Sequence, residues 1–171
     1  TFSPGKTGTR NFILYSAATT GAFFLDEQVR KFASRQHSET ADALFSIDKF
    51  YGDVYTYIPI LALYGYGIKK KKKDVRELGL KLTAATTFAL LYNMSLKAIV
   101  GRSRPFTEKG NSNFDPFSTA FEKTSFPSGH TTFAFSIAAV VDYETNSLPL
   151  EVLFYTAASI TAMARIYHDV H

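Results

Sequence analysis

Three short segments of the chain carry the residue types that phosphate chemistry uses. They are residues 97–105, 127–130 and 165–171. Together they hold several cationic side chains, a Pro-Ser-Gly turn and three of the four histidines. A phosphoryl-transfer site needs cations for the phosphate oxygens, a nucleophile and a proton donor. Each segment alone has an ordinary structural explanation, so it is their combination that favours a functional site.

The first segment places two cations before a proline. Lys97 and Arg104 lie seven residues apart, which is two turns along one face of an α-helix. Pro105 disfavours the helical conformation at Arg104, so the helix is expected to give way to a loop there. Arg165, at the end of a later apolar run, adds a planar guanidinium suited to phosphate. These cations predict a binding site for an anion.

The second segment opens an apolar run with Pro127, Ser128, Gly129 and His130. Proline is favoured in a first helical turn, so the free amides of the following residues are expected at a helix N-terminus, where anions bind. Gly129 has no side chain and would let an oxyanion approach the backbone closely. His130 and His171 supply two imidazoles, which can act as nucleophile and proton donor near neutral pH.

Five apolar stretches must position these segments. Their length and their alanine and leucine content favour helices over strands, which predicts an all-α helical bundle forming a single domain over residues 1–171. None reaches the roughly 18–20 clean apolar residues of a clear membrane span. Both a soluble bundle and a set of short membrane helices therefore stay open. The stretches are Asn11–Leu25, Val54–Ile68, Leu78–Val100, Thr131–Val141 and Leu148–Met163.

The distribution of charge favours the membrane alternative. If all five stretches cross, Lys6, Arg10 and the run Lys69–Lys73 lie on one side, which the positive-inside rule makes cytoplasmic. The three motif segments and the mixed-charge residues 26–53 then lie outside, where the latter could cap the site. The lysine run has no interleaved stacking residues, so we predict an exposed or lipid-facing turn and no nucleic-acid partner. Without cysteine, the chain has no disulfide and no thiolate ligand.

The combined pattern resembles the three-part signature of the type 2 phosphatidic-acid phosphatase superfamily. That pattern is Lys, six residues and Arg-Pro; then Pro-Ser-Gly-His; then Arg, five residues and His. The superfamily includes the class A non-specific acid phosphatases and the vanadium haloperoxidases. The resemblance covers Lys97 to His171, and the apolar stretches resemble five core helices of the six-transmembrane-helix branch. Ala164 stands where that family usually has serine, and the family's aspartate four residues after His171 is missing, so a truncation before the last helix is expected.

The resemblance implies a role for each motif residue. His171 would attack phosphorus and form a phosphohistidine, while His130 would protonate the leaving alkoxide and then activate water. The reaction would need no metal and no cofactor, and vanadate would inhibit it. His168 and Asp169 are expected to have a loop role or to contact substrate, and His37 is expected to be solvated. The phosphate-binding residues would be Lys97, Arg104, Ser128, Gly129 and Arg165.

These observations lead to one functional expectation and three rivals. The leading expectation is a phosphatase for a lipid phosphate monoester or pyrophosphate, in a bacterial inner membrane with its site facing the periplasm. The first rival is a soluble periplasmic acid phosphatase of broad specificity that acts on small phosphate esters. A vanadium haloperoxidase is less favoured, because those chains are usually much longer. The third rival is a non-catalytic membrane protein that keeps the motifs.

Overall fold

The computed structural model describes residues 9, 14, 21, 24–25, 27–33, 35, 37–107 and 112–170. His171 lies outside the described residues, as does most of the predicted stretch Asn11–Leu25. Over the described ranges the chain forms helices and loops without a strand, apart from an isolated bridge between Arg102 and Phe114. The prediction of an all-α fold is thereby confirmed.

Five α-helices account for most of the described residues. Residues 27–33 are also helical, and four short 3₁₀ turns lie at Ser46–Lys49, Val54–Thr56, Pro105–Thr107 and Phe121–Lys123. Within the described residues, no helix combines the length and the apolar character that a membrane crossing requires. The α-helices are α1 (Glu39–Phe45), α2 (Tyr57–Lys69), α3 (Lys73–Val100), α4 (Gly129–Thr145) and α5 (Leu148–Tyr167).

The lysine run forms the turn between α2 and α3, and all five lysines are exposed, as predicted for a turn. The two helices pack closely because glycine stands at two contact points. A Cβ atom on Gly67 would lie 2.5 Å from the backbone nitrogen of Arg76, and one on Gly79 would lie 2.8 Å from the Cα of Tyr64. Real Cβ atoms do not come that close, so this helix crossing depends on glycine.

The core lies where α2, α3, α4 and α5 meet. Its larger side chains come from the first three helices, and three buried alanines let α4 and α5 approach one another. Burial of these apolar side chains is what holds the two ends of α4 in place relative to α3 and α5. The buried residues are Ile60, Leu82, Phe133, Ile137 and Val141, with Ala134, Ala138 and Ala158.

Helix α3 ends at Gly101, earlier than the spacing of the first motif predicts. Gly101 has a left-handed backbone with φ of 59°, and its amide donates to the carbonyl of Lys97 at 2.8 Å. Arg104 therefore lies in a loop, as expected from Pro105, but it does not share a helical face with Lys97. The prediction of a shared face is wrong because glycine ends the helix between the two cations.

Candidate active site

The second motif starts α4 and is held against α3. Ser128 is the N-cap residue of α4, and its hydroxyl accepts a hydrogen bond from the Thr131 amide at 3.4 Å. Asn93, which is 2% exposed, donates from Nδ2 to Thr132 Oγ1 at 2.8 Å. The same nitrogen lies 3.3 and 3.4 Å from the carbonyl oxygens of Ser128 and Pro127. A side chain of α3 thus fixes the start of α4.

Gly129, the first residue of α4, is not packed tightly against the described residues. A Cβ atom built there would meet a single described atom within 4 Å, the Oδ1 of Asn93 at 3.7 Å. Packing therefore does not require glycine at this position. A backbone that no described side chain crowds at Gly129 is compatible with the anion-binding prediction for Ser128 and Gly129.

Two cations of the first motif share one partner, Thr124. Lys97 donates from its ammonium to the Thr124 carbonyl, and Arg104 donates from Nη2 to the Thr124 hydroxyl at 3.2 Å. Arg104 also donates from Nε to the carbonyl of Phe121 at 3.1 Å. Burial and the positive charge of Arg165 lower the pKa of Arg104. The loop between α3 and α4 therefore gathers the cations that the sequence predicted.

Arg165 pairs with a carboxylate that the sequence analysis missed. Its Nη1 donates to Asp48 Oδ2 at 2.9 Å, and Asp48 is only 2% exposed. The other oxygen of Asp48 lies 3.6 Å from Nε2 of His168. Within the described part of the chain, the buried Nε of Arg165 has no hydrogen-bond partner. One edge of the guanidinium is therefore fixed by Asp48, while Nε keeps a donor for another acceptor.

The third motif closes onto the first motif and onto the amino-terminal residues. The Val170 carbonyl accepts from Nη1 of Arg104 at 3.4 Å. Asp169, with a left-handed φ of 55°, accepts two hydrogen bonds from Arg30, one of them at 2.9 Å. These contacts support the loop role expected for Asp169. His168 contributes the contact with Asp48 described above.

His130 lies one residue into α4 and faces Asp53. Its Nε2 is 3.6 Å from Asp53 Oδ2, and the two side chains are 26% and 33% exposed. Burial, and then the positive charge of Arg165, lower the pKa of His130, while the carboxylates of Asp53 and Asp48 oppose that shift. His130 is thus coupled electrostatically to Arg165, one of the predicted phosphate-binding cations.

The structure brings together most of the predicted site. The positive charge of Arg165 acts on Lys97, Arg104 and His130, and that of Arg104 acts on Lys97. Ser128 and Gly129 begin the helix beside them, whereas His171 is outside the described residues. His37 is exposed, as predicted, but its ring also lies 4.3 Å from that of Tyr167. No metal-binding group of three or more His, Cys, Asp or Glu side chains occurs among the residues described.

Asp48, Asp53 and Asn93 are the site residues that sequence reasoning missed. The two aspartates lie in the mixed-charge residues 26–53, where nothing in their spacing points to the motifs. Asn93 did carry a signal, since it is a polar residue one helical turn before Lys97 within an apolar stretch. The expectation that residues 26–53 could cap the site is supported by the contacts of both aspartates with motif residues.

Comparison with known proteins identifies the family. The profile of the PAP2 superfamily matches residues 78–171, which is more than half of the chain and includes all three motif segments. No curated protein and no solved structure gives a significant match. The cation cluster, the helix N-terminus and His130 all lie within the matched range. The chain therefore belongs to the PAP2 superfamily, which implies phosphatase activity.

Proposed function

We propose that the protein is a metal-independent phosphatase that hydrolyses a lipid phosphate monoester or pyrophosphate through a phosphohistidine intermediate. One observation carries this proposal: Lys97 and Arg104 share Thr124 in the loop that leads into α4, and the positive charge of Arg165 acts on both of them and on His130. Cations bind the phosphoryl oxygens, and an imidazole supplies the proton that a leaving alkoxide needs.

The proposed reaction has two steps. In the first, a ring nitrogen of His171 attacks phosphorus, the bond to the leaving oxygen breaks, and the imidazolium of His130 gives its proton to that oxygen. In the second, a water oxygen attacks the phosphorus, the nitrogen–phosphorus bond breaks, and the proton of the water passes to His130. Phosphate leaves, and both histidines return to their starting state. The role of His171 follows from the superfamily signature.

The cations have complementary roles in this mechanism. Lys97 and Arg104 bind neutral oxygens of Thr124 in the structure, and a phosphate group would replace or join these acceptors. Arg165 keeps Asp48 on one nitrogen and offers Nε to a phosphoryl oxygen. The amide of Gly129 adds the positive end of the α4 dipole. Donors held in place before the substrate arrives stabilise the developing charge without reorganisation.

A lipid substrate is supported by the exposed surface of the helices. Large contiguous apolar patches on a protein surface mark contacts with a membrane or a partner. Helix α3 has 28 residues and is about 42 Å long, with the lysine run at its start and Lys97 near its end. That length is close to the roughly 40–45 Å of a bilayer with its headgroups. Exposed apolar side chains include Ile58, Leu61, Ile68, Phe88, Leu91, Met94, Ile99, Val152, Leu153 and Met163.

We therefore propose a bacterial inner-membrane protein whose site faces the periplasm. Lysine-rich turns stay on the cytoplasmic side, and the motifs lie at the opposite end of α3. The loop beside the cations also exposes Phe106, Phe117 and Phe121, which are suited to the apolar part of a lipid substrate or to the interface. The partners of the protein in this proposal are a phosphorylated lipid and the bilayer.

The test is phosphate release from a panel of lipid phosphates in detergent with excess EDTA, with and without orthovanadate. Phosphatidic acid, phosphatidylglycerophosphate, undecaprenyl pyrophosphate and lipid A phosphates form the panel, and p-nitrophenyl phosphate is the small-ester control. We expect release that EDTA spares and vanadate stops. Acid-labile phosphate labelling of the protein should disappear in the His171→Ala variant. Activity that EDTA abolishes, or labelling that survives this substitution, would contradict the mechanism.

The second candidate is a soluble periplasmic acid phosphatase of broad specificity. The mean hydropathy of −0.05 is low for a polytopic membrane protein and favours this candidate. It would use the same catalytic and phosphate-binding residues. Phase partition separates the two, since a soluble enzyme stays in the aqueous phase without detergent and prefers small esters. If His171→Ala leaves the cellular role intact, a non-catalytic protein is indicated instead.

A further inference from the structure

We propose that Asp53 is a positioning residue for His130, because it orients the imidazole and favours its charged, proton-donating form. This inference rests on the proposed function and names a part of the site that the motifs do not contain. Asp53 lies 77 positions before His130 in the chain. It reaches the histidine because the turn before α2 packs against the start of α4.

The two carboxylate oxygens of Asp53 have separate contacts. Asp53 is the N-cap residue of the 3₁₀ turn Val54–Thr56, and its Oδ1 accepts a hydrogen bond from the Val54 amide. That bond fixes the side chain and leaves Oδ2 to face His130 Nε2 at 3.6 Å. Both side chains are only partly exposed, so water screens the interaction less than it would at an open surface.

The backbone around Asp53 is held tightly against α4. Gly52 has a φ of 87°, and a Cβ atom on it would lie 2.7 Å from the carbonyl oxygen of His130. The Gly52 amide donates to Thr56 Oγ1 at 3.2 Å, and that hydroxyl donates to the Phe50 carbonyl at 2.6 Å. Any side chain at position 52 would push the turn away from His130. The glycine therefore allows the short approach of Asp53 to the histidine.

The contact between Asp53 and His130 matters because other groups around the imidazole affect its charge. Arg165 on α5 disfavours the imidazolium, and burial acts in the same direction. Asp48, in the 3₁₀ turn Ser46–Lys49, opposes both effects but already pairs with Arg165 at 2.9 Å. Asp53 is the carboxylate that faces the ring itself. It partly offsets the effects of burial and of the arginine, and so favours the proton-donating form of His130.

Asp53 also decides which ring nitrogen serves the substrate. The two nitrogens of an imidazole are distinct, and the hydrogen bond made by one sets the proton on the other. Because Nε2 faces Asp53, Nδ1 is the nitrogen that gives its proton to the leaving oxygen. The carboxylate itself transfers no proton, and its role resembles that of the aspartate in a Ser-His-Asp triad.

The variant that tests this inference is Asp53→Asn, which keeps an oxygen for the Val54 amide and removes the charge. A protonated donor matters most when the leaving group is a poor one. We expect kcat/KM for an alkyl phosphate to fall by about a hundredfold, and that for p-nitrophenyl phosphate by about threefold or less. The alkaline limb of the pH profile for the alkyl ester should move to lower pH. Asp53→Glu should restore part of the lost activity.

The control is Asp74→Asn, which removes an exposed carboxylate at the opposite end of α3. It should leave both rates and the pH profile unchanged. Equal losses on both esters with an unmoved pH limb would overturn the inference, and so would full activity of Asp53→Asn. Thermal unfolding checks that the variant folds, and Asp53→Ser, which keeps an N-cap oxygen, replaces it if it does not.

An NMR titration of His130 separates this inference from the proposed function. The imidazole pKa should be lower in Asp53→Asn than in the unsubstituted protein, whether or not either protein turns over a phosphate ester. If the unsubstituted protein hydrolyses no ester while this pKa still falls, the proposed function fails and the pairing of Asp53 with His130 stands. An unchanged pKa overturns the pairing itself.

Discussion

At the scale of single residues, the cations of the site are of two kinds, which differ in the partners they bind. Arg165 is paired with a buried carboxylate, Asp48, whereas Lys97 and Arg104 bind neutral oxygens of the loop between α3 and α4. The charge of the first is largely compensated before substrate arrives, whereas no carboxylate among the described residues forms an ion pair with the other two. A phosphate dianion entering the site would therefore be attracted mainly by Lys97 and Arg104.

Replacement of Lys97 tests that division. Lys97→Met keeps the length of the side chain and removes the ammonium, so we expect kcat/KM to fall by about 10²–10³-fold, as for the loss of one transition-state donor. The matched control is Lys81→Met on the same helix, where the lysine pairs with Glu144 at 2.6 Å on the exposed side. Steady-state kinetics on one ester measures both. Equal losses in the two variants would contradict a phosphate-binding role for Lys97.

The pairing of Asp48 with Arg165 makes a prediction about stability. Asp48→Ala leaves a largely buried guanidinium without its partner, which costs about 3–5 kcal/mol of unfolding free energy. The double variant Asp48→Ala with Arg165→Met removes both charges and should recover most of that stability while staying inactive. Chemical denaturation in detergent gives the stabilities. A double variant no more stable than Asp48→Ala alone would show that the ion pair is not what the first substitution disrupts.

At the scale of elements, the crossing of α2 and α3 depends on Gly79. Gly79→Ala would force its new methyl group against the backbone of Tyr64, and we expect a loss of about 1–3 kcal/mol from overpacking. Gly65→Ala is the control, since nothing lies within 4 Å of a Cβ atom there. That change should be neutral or stabilise α2 by up to about 1 kcal/mol. Thermal unfolding measures the stability of both variants. Similar midpoint temperatures for the two would contradict the close crossing of α2 and α3.

The helices were predictable to different degrees. Some are marked by a local apolar pattern in the sequence, and others depend on contacts with residues far away in the chain. Stretches Leu78–Val100 and Leu148–Met163 correspond closely to α3 and α5, since apolar length is a local property of the sequence. The short helix α1 and the 3₁₀ turn Ser46–Lys49 carry no such pattern. They are held by distant partners, such as Arg165, which lies 117 residues from Asp48. Tertiary contacts of that kind leave no periodic trace in the sequence.

The residues of the site were also predictable to different degrees. Lys97, Arg104, His130 and Arg165 could be predicted because their types and spacing match a known signature. Gly101 was not recognised as a helix stop, although a glycine near a helix end is a common C-cap signal. Asp48 and Asp53 could not be predicted, because their roles arise only when the turns before α2 pack against α4 and α5.

At the scale of the whole molecule, the lysine run and the motif residues lie at opposite ends of α3. The chain has no cysteine, so single cysteines can report the side of the membrane on which each end lies. In spheroplasts treated with a membrane-impermeant maleimide, we expect Thr119→Cys to be labelled and Lys70→Cys to be labelled only after permeabilisation. Both positions are exposed in the structure. The unsubstituted chain is the negative control.

Two outcomes of that labelling would contradict the proposed topology. Labelling of Lys70→Cys alone in intact spheroplasts would place the site on the cytoplasmic side. Labelling of both cysteines in a detergent-free periplasmic extract would favour the soluble candidate. Either result would concern the proposed topology alone and would not test the proposed phosphatase chemistry.

The position of Asn93 one turn before Lys97 has a mechanical consequence. From adjoining turns of α3, one side chain binds the start of α4 and the other binds the Thr124 carbonyl. A small rotation of α3 about its axis would therefore displace the proton donor and the phosphate-binding ammonium together. If the chain crosses a membrane as proposed, a change in bilayer thickness that acts at the lysine end would reach both halves of the proposed reaction at once. In that proposal, such forces would alter kcat and KM in concert, through a single helix.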